Sequence, residues 1–414
     1  MASLESETGS VAVRTTESSN EIKNRATKNR NNNNTKTKNA AFRYLPKFRC
    51  FSLKSATTEE MGSFNMELAE EDDQTGRKNN PTHLVIMVNG LVGSAEDWRF
   101  GATQLLKRYP EDVVVHCSEC NYSMLTFDGV DVMGERLAEE VRGVVKRHGT
   151  VQKISFVGHS LGGLIARYAI GRLYERDTMR GRSRENVECR DNGIEDQQRE
   201  QKVKGKIAGL EPGNFITSAT PHLGTWGHKQ VPVFCGFQML EKAAARFSWC
   251  LGRTGRHLFL TDRDKGKPPL LLQMVYDSED LKFLSALKSF RRHVAYANVH
   301  YDHLVGWSTS SIRRKKELPK LKHLSKHEKY PHIVNEMTDT AGTQEEASSE
   351  DDTSVDFEEE MIRGLTKVSW ERIDVSFSGS RQKYLAHSTI QVKIYYIHSD
   401  GADVIQHMVD NFQI

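Results

Sequence analysis

The segment Lys153-Ile-Ser-Phe-Val-Gly-His-Ser-Leu-Gly-Gly163 constrains this chain more than any other stretch. A short apolar run ends in Gly158-His-Ser-Leu-Gly162, and residues with helical spacing follow at once: Leu161, Leu164, Ile165 and Tyr168. The pattern reads as a strand, a sharp turn and a helix, with a serine at the tip. A nucleophilic serine in such a turn sits in a strained backbone conformation. Strand and helix then approach so closely that only small residues fit two positions before and after it. Gly158 and Gly162 meet that demand, and His159 completes the elbow. The turn also sets the Leu161 amide at a helix N-terminus, where it can donate to a developing oxyanion. Ser160 is therefore the candidate nucleophile.

The flanking pattern agrees with that turn. His83-Leu-Val-Ile-Met-Val88 is a continuous apolar run closed by Asn89-Gly90, which predicts a strand buried on both faces. Asp112–His116, Asn214–Ala219, His293–Val299 and Glu371–Phe377 repeat the type. Between them, residues 131–148 place Val132, Leu137, Val141 and Val144 or Val145 on one side of a helix. Strands alternating with helices predict an α/β protein with a mainly parallel sheet covered on both faces.

Hydrophobic residues make up 37% and charged residues 27%, so a real core is diluted by polar segments. Residues 1–78 are a basic and polar tail that cannot bury enough apolar surface to order itself. A flexible tail, plastid targeting and an electrostatic membrane tether are its three readings. Residues 176–206 read as a charged loop insertion. Residues 313–365 begin basic and end acidic, with Glu345–Asp352 and Glu358–Glu360, and read as a second disordered insertion. The α/β domain then occupies 79–312 and resumes over 366–414.

A net charge of +3 gives no case for nucleic acid. The longest apolar candidate, Val231–Leu251, is broken by Glu241, Lys242 and Arg246, short of the roughly 18 to 20 apolar residues of a membrane span. No apolar leader opens the chain, and six scattered cysteines form no framework. An intracellular protein, cytoplasmic or peripheral on a membrane, is expected. Cys117-x-x-Cys120 has no second pair at zinc spacing and reads as a strand end, so no metal is expected.

A serine nucleophile needs a base, and the base needs an orienting carboxylate. On this arrangement of strands the chain order is Ser, then Asp or Glu, then His. Asp302 follows the strand ending at Val299 and can reach the sheet's carboxyl edge, whereas Asp277 and Asp280 lie on a predicted helix. Of the later histidines, His387 occupies the loop after the last strand and is the candidate base. His398 is the alternative, and His407 falls in a predicted amphipathic helix as a surface residue. His303, beside Asp302, serves only with an unusual chain order. Gly90 frees the turn after the first strand, which places the Leu91 amide as a second oxyanion donor. Residues 221–262 carry Trp226, Phe234, Phe237, Phe247 and Trp249, which suit either a lid over acyl chains or plain packing on the core.

Through His83–Leu91, Thr126–Ala138, Gly158–Gly163, Ala219-Thr-Pro-His-Leu-Gly224, Tyr296–Val299, Asp302–Trp307 and Thr309–Ile312, the chain resembles a family. It is the plant branch of the "putative serine esterase", lipase-like family of α/β-hydrolases. The resemblance implies an α/β-hydrolase fold and hydrolysis of a carboxylic ester, plausibly of a lipid, with no metal or organic cofactor. By position, Ser160 matches the family nucleophile and Asp302 the acid. One departure stands out. Many relatives begin the oxyanion turn with His-Gly, and this chain has Asn89-Gly90.

The expected chemistry is acyl transfer through a Ser-Asp-His triad: attack by Ser160, proton transfer to His387, orientation by Asp302, and an oxyanion held by the Leu91 and Leu161 amides. An acyltransferase on the same fold and a non-catalytic lipid-binding scaffold are the alternatives. The expected partner is a lipid or another ester, with contact to a lipid surface.

Overall fold

The computed structural model describes residues 80–176, 205–225, 251–263, 266–338 and 356–414. All belong to one compact unit, Gly62–Ile414. In chain order the strands are β1 (His83–Val88), β2 (Val113–Cys117), β3 (Lys153–His159), β4 (Tyr174–Glu175), β5 (Lys206–Ile207), β6 (Glu211–Ser218), β7 (Arg292–Asn298), β8 (Ile333–Thr338) and β9 (Glu371–Val375). Seven form one sheet in the order β2-β1-β3-β6-β7-β9-β8, and β4 with β5 forms a separate ladder. Every pairing in the large sheet is parallel except β8 with β9.

β1 shows why such a sheet is continuous in apolar residues. Leu84, Ile86 and Val88 join a core on one face, while Val85 and Met87 join a second core on the other. Successive side chains of a strand point to opposite faces, so a strand covered on both sides has no polar alternation. Helices α2 (Val130–Arg147) and α3 (Leu161–Leu173) supply the first core. Helix α1 (Arg99–Arg108) and the C-terminal helix Ala402–Asp410 supply the second. With the strand before the serine turn near the centre, and β7 and β9 beyond it on one side, this is the α/β-hydrolase fold.

The segment 313–365 departs from its expected disorder. Its first part ends in β8, which pairs antiparallel with β9, and its last part is the helix Phe357–Leu365. Within it Arg314 joins the two described parts, donating to Glu317 at 2.5 Å and to Glu359 at 2.7 Å. Met361, Ile362 and Leu365 bury the inner face of the helix, and Asp356 caps its N-terminus. Residues 339–355, with the acidic Glu345–Asp352, lie outside the described residues, as do the tail 1–79, most of the 176–206 insertion, and 226–250 of the lid candidate. His407 is also not on the surface. It is 3% exposed and accepts or donates through Nδ1 to the Tyr296 hydroxyl at 2.9 Å. Among the described residues no helix is long and apolar enough to cross a membrane.

Candidate active site

Ser160 stands between β3 and α3, as the residue that caps the helix, with φ 53° and ψ −125°. A non-glycine residue there is strained, and the surrounding contacts hold it in place. Its amide donates to the Ser218 carbonyl at 2.8 Å, which ties the turn to β6. The small residues around it are required by contact distance. A Cβ on Gly162 would lie 2.3 Å from the Val88 carbonyl oxygen, and one on Gly158 would lie 2.6 Å from Gly163 Cα.

Asp302 lies in the loop after β7 and is almost fully buried. Its Oδ1 accepts the amides of Leu304 at 3.0 Å and Val305 at 2.9 Å, and its Oδ2 accepts from Asn298 Nδ2 at 2.9 Å. His387 reaches the same Oδ2 with Nδ1 at 3.0 Å, and its Nε2 lies 3.0 Å from Ser160 Oγ. Burial works against the charge of Asp302. The facing His387 and the hydrogen bonds from His387, Asn298 and Val305 outweigh burial and hold the carboxyl below its ordinary range. An ionised carboxylate only accepts, so His387 Nδ1 carries the proton and its Nε2 accepts from the serine hydroxyl. The three residues form one hydrogen-bonded line able to draw a proton from Ser160.

The turn after β1 passes against this serine. A Cβ on Gly90 would lie 3.0 Å from Ser160 Cβ. Asn89 fixes the turn by donating from Nδ2 to the Gly90 carbonyl at 3.1 Å and to the Asn121 carbonyl at 3.0 Å. Asparagine thus braces the loop at the position where the resemblance led to an expected histidine. Among the described residues neither the Leu91 nor the Leu161 amide is bonded to an acceptor, so both are free to donate to a ligand oxygen.

The other candidates fall elsewhere. His398 is buried in its own helical turn, where Nδ1 accepts the Ile394 amide at 3.1 Å, and it does not join the line. His303 stacks on Tyr384 at 6.5 Å. Asp277 accepts the Ser285 amide at 3.0 Å, as a turn cap does. Cys117 ends β2 with its thiol pushed up to about 12 by burial, and no group of residues able to hold a metal exists among the described residues.

Two contributors carried no signal of their own in the sequence. Asn298 stands inside a quoted motif without a role, yet it supports the carboxylate. His159 was legible only as part of the elbow. Its Nε2 donates to the His387 backbone carbonyl at 2.7 Å, and burial, then the neighbouring His387, lowers its pKa to about 3.

Residues 78–312 match the family described as Putative serine esterase (DUF676). "Putative lipase ROG1" of Saccharomyces cerevisiae is 29% identical over 56% of this chain and 28% of its own length. "Putative lipase C4A8.10" of Schizosaccharomyces pombe is 25% identical over 56% of this chain and 26% of its own length. The chain therefore matches little more than a quarter of these relatives. Among solved structures, the lipase BlEst2 of Bacillus licheniformis in its propeptide form aligns with 54% of this chain and 36% of its own, at 13% identity and a TM-score of 0.30. That score adds nothing to the fold described above.

Proposed function

The chain belongs to the family Putative serine esterase (DUF676), and on that premise we propose that it hydrolyses carboxylic esters of lipids through an acyl-serine intermediate on Ser160. The observation that carries this reading is His387, which lies 3.0 Å from both Asp302 Oδ2 and Ser160 Oγ. The motifs of the chain also favour the plant branch of that family.

In the first step His387 Nε2 takes the hydroxyl proton as Ser160 Oγ bonds to the ester carbonyl carbon. The carbonyl oxygen becomes an oxyanion and accepts from the amides of Leu91 and Leu161. Asp302 stabilises the imidazolium that results. As the carbonyl re-forms, the carbon–alkoxy bond breaks, and His387 returns its proton to the leaving alcohol. Water then repeats the sequence: it loses a proton to His387, attacks the acyl carbon, and releases the acid and free Ser160. No step needs a metal or an organic cofactor.

The test is a fluorophosphonate probe applied to the folded protein, with the adduct mapped by mass. The expected adduct sits on Ser160 and is lost in His387→Ala but kept in His398→Ala. An adduct elsewhere, or none on protein that also fails to hydrolyse a soluble ester, removes the reading.

A further inference from the structure

The large apolar side chains left exposed are concentrated on one edge of the sheet. Among those described, all but Leu321 and Met337 lie on segments that leave the carboxyl ends of β1, β2, β7 or β9. Met124 is 70% exposed, Tyr384 64% and Tyr396 94%. Ile394, Tyr395 and Ile397 join Tyr396 on one turn, anchored where Tyr395 stacks on Phe100 at 5.2 Å and Lys393 pairs with Asp97 at 2.9 Å. In a parallel sheet these segments share the edge that carries Ser160. Monomeric proteins rarely concentrate apolar surface in this way without a partner.

The same edge is basic. Because β8 runs antiparallel, its first residue Ile333 pairs with Val375 at the end of β9, so the segment before it lies at the carboxyl edge. Lys326 lies on that segment, between Ser325 and His327, whose amides donate to Val334 and Ile333, and its Nζ lies 3.8 Å from where a Cβ on Gly379 would be. Arg381 and Lys383 follow on the neighbouring loop, with Lys383 Nζ 5.3 Å from the Tyr301 ring and 5.1 Å from the Tyr384 ring. None of these three cations is in an ion pair with a described residue. The overall charge of +3 hides this concentration.

We propose that this edge is a docking surface for an anionic lipid bilayer. Tyrosine sets an apolar ring and a polar tip at the depth of lipid headgroups. Lysine and arginine lay apolar stems along the surface and hold their charge at the phosphates. Unpaired cations around exposed tyrosines and isoleucines fit that chemistry, and anionic headgroups supply the complementary charge. The surface names the substrate's setting for the esterase reading, on which its catalytic consequence rests: Ser160 would open toward the membrane that presents the ester.

The test is flotation of the full chain with vesicles of phosphatidylcholine alone and of phosphatidylcholine with phosphatidylserine, beside hydrolysis of a short water-soluble ester. Wild type is expected to bind the anionic vesicles, less so as salt rises. The Tyr396→Ser/Ile397→Ser and Lys326→Glu/Arg381→Glu variants are expected to bind about tenfold more weakly, with soluble-ester hydrolysis unchanged. Wild type that does not float with anionic vesicles overturns the docking surface, even if it hydrolyses the ester. So do variants that bind as well as wild type, since the attachment then belongs to other residues. Binding lost in the variants with no ester hydrolysed by any protein keeps the docking surface and removes the esterase reading.

Discussion

His159 Nε2 lies 2.7 Å from the backbone carbonyl oxygen of His387, and the two imidazoles stand 4.8 Å apart between centroids. A carbonyl only accepts, so His159 donates from Nε2, and burial, which lowers its pKa to about 3, keeps the ring neutral. The residue beside Ser160 thus holds the loop that carries His387. In this arrangement His159 is a positioning residue.

His159→Ala is therefore expected to lower kcat about 10- to 100-fold with little change in KM, because a misplaced base costs turnover more than binding. His159→Gln, whose amide can still donate, is expected to recover part of the loss. Steady-state kinetics on a soluble ester check this. Equal loss in both variants would mean that His159 serves only to fill space.

Asp302→Asn is expected to keep the fold and lower kcat by about three to four orders of magnitude, since the amide no longer stabilises the reactive tautomer of His387. His398→Ala, which alters a hydrogen bond within its own turn, is expected to leave kcat within about twofold. Comparison of the two variants on one ester substrate decides between the histidines.

Buried neutral histidines make stability depend on pH. Burial lowers the pKa of His83 and His293 to about 4 and that of His159 to about 3, and it lowers that of His222 well below its ordinary 6.5. As pH falls through 6.5 the unfolded chain gains protons that the folded chain refuses. Stability is present above that value and lost on acidification toward pH 4, with each histidine contributing up to about 1.4 kcal/mol per pH unit. Urea unfolding at several pH values across this window should show the fall, and His83→Gln should reduce its slope. A flat profile would contradict the neutral assignment.

Asp374→Ala is expected to cost about 3 to 5 kcal/mol, because it strands a buried cation. Arg313 and Asp374 are 2% and 0% exposed, and their 3.0 Å ion pair ties the segment after β7 to β9. Asp374 also accepts from Trp307 Nε1 at 2.6 Å and from Asn335 Nδ2 on β8 at 2.8 Å. Urea denaturation of the variant measures the cost, and loss of less than about 1 kcal/mol would show that the pair is dispensable.

The elbow and the strands around it were legible because their signals are local. A run such as His83–Val88, or a glycine two positions from a serine, carries its meaning within a few residues. The charged segment 313–365 was misread for the opposite reason. Arg314 and Glu359 stand 45 positions apart, and nothing within either charge run shows that these two side chains meet. His407 failed similarly, since its partner Tyr296 lies 111 residues earlier on β7.

By itself, then, the sequence determined the type of fold and marked Ser160 as the candidate nucleophile, along with a short list of candidate acids and bases in a workable chain order. Periodicity and turn chemistry act over single elements, and they leave distant side chains unassigned. Only the tertiary structure decided which histidine meets Ser160, because His387 is 227 residues away from it and is selected by a 3.0 Å contact. It also decided that exposed tyrosines share the edge that holds Ser160 with Lys326 and Lys383. Sheet order brings those separated loops together, and a parallel sheet gathers at one edge what the chain spreads along its length.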